Sequence, residues 1–284
     1  MRALIKIAGW SAVAILAAIV GYLFAGALTA LREVGLVEMV TGAHWFPTSD
    51  PPQFGFLPSM AGSLMVASVA LLLSVPLGVA AAVYISEFAG KRTKEVAKSI
   101  IEFMAAVPSV VLGLIGITLL VQNVRVWFDL STGLTAFTAG IMVGILALPT
   151  IVSIAEDAMH AVPQELRQGS AALGNTRWQT TYKVVVPAAS SGIFAAVILG
   201  MGRAIGETMV VLMLSGLAGT IPLTPFEPVR TLPGTVAQQL GEVVRGGLHY
   251  SVLFTMGLVL FVIAFLINLA ADVVLERQRR RWRR

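Results

Sequence analysis

The stretch EDAMHAVPQELRQGSAALGNTRWQTTYKVVVP, residues 156–187, is a long polar interval between two apolar runs of the chain. It is too polar to cross a bilayer and too patterned to be a mere linker. Pro163-Gln164-Glu165 places proline at a first helical turn with an acid close behind, a helix start. Gly174-Asn175 reads as the corresponding stop. The segment predicts a short helix held between two long apolar segments, followed by RWQTTYKVVV leading into the next one. Such a helix is placed either to transmit force from a partner or to rest as an amphipathic connector at a membrane surface.

The flanking residues on both sides set the fold class. Of the 284 residues, 57% are apolar and only 12% charged, with a mean hydropathy of +0.85. Soluble domains carry about a quarter charged residues. Apolar runs fall near 7–31, 60–86, 99–123, 135–155, 188–216 and 250–274. Each exceeds the roughly 20 residues a helix needs to cross the hydrocarbon core. The expectation is an all-α integral membrane protein with six transmembrane helices, forming a single domain over 1–284 with its core at about 60–274. The first run is longer than a signal-peptide core, so it reads as an uncleaved span.

The net charge of +5 is arranged for topology rather than for nucleic acid. With a cytosolic N-terminus, the inner segments hold Arg2, Lys6, Lys91, Arg92, Lys94, Lys98, Arg167, Arg177, Lys183 and the six arginines from Arg277 to Arg284. The outer loops hold Arg32, Arg125, Arg230 and Arg245. Basic residues concentrated on one side fix that side as cytosolic. The tail ERQRRRWRR is then a topology anchor at the end of the last span, with both termini cytoplasmic, the chain in the cell membrane and no nucleic-acid partner.

Two outer segments connect the spans. Residues 33–59, with DPP at 50–52, carry turn signals; 217–249 opens with GLAGTIPLTPFEP and continues with a short helical pattern, TVAQQLGEVVRGG. Both are large enough to shape a mouth or touch a partner, not to form a binding domain. Pro76, Pro108, Pro149 and Pro187 lie within or at the edges of spans, where simple kinks are expected.

Much chemistry is missing. AGKRT at 89–93 has neither the preceding glycine nor the hydroxyl residue of a phosphate-cradling loop. His44, His160 and His249 lack metal-ligand spacing, and there is no cysteine. No nucleophile elbow and no intramembrane carboxylate pair is present. The chain reads as a non-enzyme without a metal or cofactor of its own, and any nucleotide chemistry belongs to another chain.

GMGRAIGETMVV, 200–211, places Arg203 and Glu207 inside an apolar run. On a continuous helix, positions i and i+4 share a face, so the two predict either a stapling ion pair or a site, because an ionisable group at membrane depth is costly. Arg before Glu is the weaker orientation for a staple. Gly200, Gly202 and Gly206 predict close helix approach, and Thr208 adds a hydroxyl. Glu87 and Glu102, beside the basic stretch at 91–98, read as solvated or paired interfacial carboxylates, with Lys98 four residues before Glu102.

The polar loop resembles the coupling segment of binding-protein-dependent ABC importers, E-A-A-x-x-x-G, nine residues, then I-x-L-P. QGSAALG ends at Gly174, and Val184, Val186 and Pro187 stand at the matching offsets; Gln168-Gly169-Ser170 replaces the usual Glu-Ala-Ala. Within that superfamily the chain is similar over most of its length to the PstC-type permeases of phosphate importers. WFPTSDPPQFGFLPSMAGSL, VYISEF, IIEFMAAVPSVVLG, ALGNTRWQT and GLHYSVLFTMGLVLFVIAFLIN carry the likeness, and GRAIGET (202–208) matches the family's intramembrane motif throughout.

The resemblance implies a type I ABC importer permease fold and one half of a translocation pore. It implies a second, PstA-type permease subunit, a PstB-type ATP-binding pair that uses the ATP, and an extracytoplasmic phosphate-binding protein. Substrate passage falls by position on Arg203 and Glu207, with the Thr208 hydroxyl beside them as a candidate donor to the anion; ATPase coupling falls on Glu165, Gln168, Gly169, Ser170, Ala171, Leu173 and Gly174. A guanidinium offers a planar fork for oxyanion oxygens. Rival expectations are a sulfate or molybdate importer, a stand-alone channel or ion-coupled carrier, and a role in reporting phosphate status.

Overall fold

A computed structural model describes residues 2–282, with side chains for 6–273 apart from Ala8. The basic anchors Arg2 and Arg277–Arg284 lie outside the described side chains. Among the described residues, six helical segments are long and apolar enough to span a membrane: Gly9–Glu33, Leu57–Phe88, Ser109–Trp127, Ala136–His160, Arg177–Gly206 and Leu248–Val273.

The first span belongs to α1 (Arg2–Glu33), which leads through α2 (Leu36–Thr41) into a small antiparallel hairpin, β1 (Trp45–Phe46) and β2 (Gln53–Phe54). The second is α3 (Leu57–Val83), ending in a π-helical turn at Tyr84–Phe88. Next comes α4 (Lys91–Ala106), followed by the third span, α5 (Ser109–Ile115), a π-helical stretch at Gly116–Val121 and α6 (Gln122–Trp127). The fourth is α7 (Ala136–His160). The polar loop forms α8 (Gln164–Ala172) and α9 (Arg177–Thr180), and a π-helical turn at Thr181–Val185 joins α9 to α10 (Val186–Gly206). After α11 (Met209–Leu214) and α12 (Leu232–Gln239), α13 (Leu248–Trp282) closes the chain.

α7 is the axis. Its most apolar stretch is 61% buried, against 6% for the first span, and α3 and α10 pack along it. Ile151, fully buried, is lodged between glycines of both neighbours: a Cβ on Gly200 would lie 2.6 Å from Ile151 Cγ1, and one on Gly78 would lie 2.8 Å from its Cγ2. Small residues let helices approach where lipid supplies no hydrophobic drive. Of the three glycines expected to do this, Gly200 does; nothing lies near Gly206, and Gly202 has only an ordinary contact with Ile267. α1 and α13 pack together at the flank.

Apolar clusters mark three levels. At the hairpin end, Trp45, Phe54 and Phe56 pack with Leu232, Leu253 and Met256. In the middle, Met142, Val143 and Leu146 meet Val66, Val210, Val211 and Leu214. At the α8 end, Ile85, Val152, Met159 and Val185 form the third.

Two spans differ from the sequence-based expectation. The third, expected at 99–123, begins at Ser109. Proline drives its preceding residue out of the helical region, and Val107 is extended at φ −64°, ψ 125°. Residues 91–106 therefore form a separate amphipathic helix, with Val96, Ile100 and Phe103 exposed on one side. The fifth, expected at 188–216, ends at Gly206. Glu207 is extended at φ −69°, ψ 128°, and a new helix starts at Met209. The helix expected over TVAQQLGEVVRGG (235–247) forms only in its first part, as α12, capped by Thr231, whose Oγ1 accepts from the Gly234 amide at 3.3 Å, and 240–247 is non-helical.

Candidate functional site: an open guanidinium and a clamped loop

Arg203 lies on the last turn of α10 and its Nη1 donates to Thr150 Oγ1 of α7 at 3.2 Å. Thr150 stands 14 residues into α7 and ten from its end. At about 1.5 Å per residue these are roughly 21 Å and 15 Å along the helix. The guanidinium is thus near mid-depth of a hydrocarbon core about 30 Å thick, and it is exposed on the surface of the bundle. Placing an arginine against lipid at a helix centre costs about 2.5–3.5 kcal/mol or more. This face therefore fronts water or another protein.

The break after Gly206 overturns the shared helix face expected for Arg203 and Glu207. Glu207 Oε1 instead accepts from the amides of Met209 (3.1 Å) and Val210 (3.3 Å), closing the first turn of α11. That is the reason for the break: the carboxylate satisfies amides that a helix start leaves open. Among the described residues the ion pairs are Lys94–Glu156, Lys98–Glu156 and Arg167–Glu87, and none joins Arg203 to Glu207. Thr208 Oγ1 donates to its neighbour Gly206 O at 3.3 Å. Sequence reasoning missed Thr150, which carries no local signal.

At the other functional level, α8 forms as expected and stops at Gly174, whose φ of +81° suits glycine. Thr176 and Gln179 then cap α9 reciprocally. The candidate coupling residues divide by face. Glu165, Gln168, Gly169, Ala171 and Leu173 are exposed, Leu173 at 84%. Ser170 is buried and exchanges a hydroxyl hydrogen bond with Thr180 at 2.9 Å. Gly174 has open space around it.

The residues that fasten this loop escaped sequence reasoning. Arg167, on the inner face of α8, donates from Nη2 to Glu87 Oε1 (2.9 Å) and Met159 O (2.9 Å), and from Nη1 to Val162 O. Glu87 is paired, as expected, but with a residue 80 positions away. Next to it, Glu156 of α7, 3% exposed, takes Lys94 (2.6 Å) and Lys98 (2.8 Å) from α4. Lys98 therefore bonds across to α7 rather than to Glu102, which is exposed. The hydrogen bond to Glu156 raises the Lys98 ammonium above its ordinary value.

At the hairpin end, a cleft of about 600 Å³ is lined by Trp45, Phe46, Arg230, Gln239, Glu242 and His249. Arg230 holds Leu217 O through Nε and Nη2 at 3.3 and 3.1 Å, and burial lowers its guanidinium from the usual value. Among the described residues there is no cluster of three metal-ligating side chains.

Comparison with known proteins agrees with this architecture. Residues 74–284 match the family model described as binding-protein-dependent transport system inner membrane component. The chain is 39% identical over 249 residues to a probable ABC transporter permease of Bacillus subtilis, covering 88% of this chain and 81% of that one. It is 32% identical over 274 residues to the phosphate transport system permease protein PstC of Mesorhizobium japonicum, covering 90% and 83%. Among solved structures, a bacterial alginate ABC transporter chain superimposes with a TM-score of 0.61 at 17% identity, over 94% of both chains. A chain of the MetNI methionine ABC transporter gives 0.57 at 19%, over 79% of this chain and 94% of that one. The fold is the all-α one shared by these type I importer permeases, and the chain belongs to the binding-protein-dependent transport system inner membrane component family.

Proposed function

We propose that this chain is the permease subunit of an ATP-driven phosphate importer, lining half of the translocation pathway. The observation that carries the reading is the Arg203 guanidinium, near mid-depth and exposed, with Thr150 as its described hydrogen-bond partner and, among the described residues, no carboxylate paired to it. Five fixed donors in a planar fork suit an oxyanion. The PstC-type relatives supply the identity of that anion as phosphate.

The α8 end faces the cytosol in this reading, with both termini on that side, as the distribution of basic residues supports. The exposed face of α8 meets a separate PstB-type ATPase, where all ATP chemistry takes place. The face bearing Arg203 meets a second, PstA-type permease subunit, so that the guanidinium lines an aqueous path between the two. The hairpin end receives phosphate from an extracytoplasmic binding protein. ATPase closure moves α8 and alternates access on the two sides of Arg203.

Phosphorus-32 uptake by phosphate-starved cells lacking the gene tests the substrate. Restoration by the wild-type gene, unaffected by excess sulfate or molybdate, is expected. Uptake suppressed by either competitor assigns the pathway to another oxyanion.

A further inference from the structure

We propose that Arg167 and Glu87 form the joint that carries a displacement of α8 into the membrane helices; this rests on the reading of the chain as an ATPase-driven permease. Arg167 is a positioning residue: it touches no transported ion, yet its fork reaches acceptors at the ends of two membrane helices, α3 and α7.

Three observations converge. First, α8 packs chiefly against its C-terminal neighbours, α9 and the π-helical turn at Thr181–Val185, and Ser170 bonds into that same segment. Leu166 adds an apolar contact to the bundle, which has no direction and can slide. Arg167 alone on α8 makes described hydrogen bonds to the ends of α3 and α7, through Glu87, Met159 O and Val162 O.

Second, the bond is of a kind that survives movement. Glu87 is 10% exposed at its side chain, and its described partners are Ser86 Oγ at 3.0 Å and Arg167. Separating them would leave a carboxylate buried without its counter-charge, which is strongly unfavourable. When α8 is pulled, the end of α3 moves with it rather than parting from it.

Third, the joint is continuous with a second clamp. Glu87, Lys94 and Arg167 line one cleft of about 460 Å³. Lys94 and Lys98 tie α4 to Glu156, four residues before His160, where α7 ends. α4 runs directly into the extended Val107–Pro108 break and the third span. One displacement at α8 thus reaches the second, third and fourth spans through charged contacts.

The chain has no cysteine, so introduced cysteines can be spin-labelled cleanly in the reconstituted complex with its ATPase. Distances are measured from Val37→Cys, on α2 at the hairpin end, to either Ala172→Cys at the end of α8 or Tyr84→Cys at the end of α3; all three positions are exposed. In the wild-type background, vanadate trapping with ATP is expected to shift both distances. In Arg167→Gln and in Glu87→Gln, the Ala172 shift persists while the Tyr84 shift falls below half. Arg167→Lys, which keeps the charge but not the fork, gives an intermediate shift. Glu87→Gln, outside α8, decides alone if Arg167→Gln does not assemble with the ATPase. A Tyr84 shift that is absent in wild type, or unchanged in both variants, overturns the joint, as does loss of both shifts together in an assembled Glu87→Gln complex. Phosphate transport by the same wild-type preparation is scored separately. Its absence with both shifts present removes the substrate reading and leaves the joint standing.

Discussion

Charged groups occur at two levels of this molecule, and they are treated in opposite ways. At the α8 end each buried carboxylate is closed by cations from another element: Glu156 by Lys94 and Lys98, Glu87 by Arg167. Near mid-depth, Arg203 and Glu207 are close in sequence yet kept apart, one reaching to a threonine and the other to backbone amides. A closed pair holds elements in place. An arginine left without a counter-charge at mid-depth keeps its charge available for something that passes. The difference separates the part that transmits force from the part that handles an anion.

The comparison can be broken by substitution, and the largest effect should be functional. Arg203→Gln removes the guanidinium with little packing lost, so transport should fall at least about tenfold, given that one hydrogen bond to a charged group contributes about 1.5–3 kcal/mol. Its melting temperature in detergent should stay within a few degrees of wild type. At the closed level the effect should be on stability. Glu156→Ala leaves Lys94 and Lys98 without their counter-charge, and because their side chains are 27% and 45% exposed, water screens part of the loss, which leaves a cost on the order of 1 kcal/mol. A drop in melting temperature is expected; an unchanged one would make that clamp a surface ornament.

Two further tests sharpen the packing beneath both levels. Gly200→Ala sets a Cβ against Ile151, and overpacking of this kind costs about 1–3 kcal/mol. Combining it with Ile151→Ala, which removes the Cγ1 that the new Cβ would meet, should cost less than the sum of the two single losses in the same melting assay. Thr176→Ala removes one side of the reciprocal cap on α9, for about 1 kcal/mol. Faster proteolysis between Gly174 and Arg177 would report it.

Much of this architecture is legible in the residues. Six apolar runs announce the spans because lipid demands length and composition, not a detailed pattern. Pro163 and Gly174 bracket α8 through backbone chemistry that is local. The illegible part depends on contacts distant in sequence or on competition between helix continuations. GMGRAIGETMVV reads as one helix because glycine is tolerated inside apolar helices; it breaks because Glu207 caps the amides of the next turn. An acid two residues before a fresh apolar turn was the available signal. Pro108 carried a similar one for the third span, hidden by the apolar character of 99–107. Arg167 with Glu87, and Glu156 with Lys94, are 80 and 62 positions apart, and no single-sequence pattern joins them.

The most direct measurement pairs two readouts on two variants: phosphate transport in proteoliposomes and melting temperature, for Arg203→Gln and Glu156→Gln side by side. The expected result is a large transport loss at near wild-type stability for Arg203→Gln, and a stability loss for Glu156→Gln. If Arg203→Gln transports normally or is as destabilised as Glu156→Gln, the arginine is a structural staple and the division between the two levels is wrong.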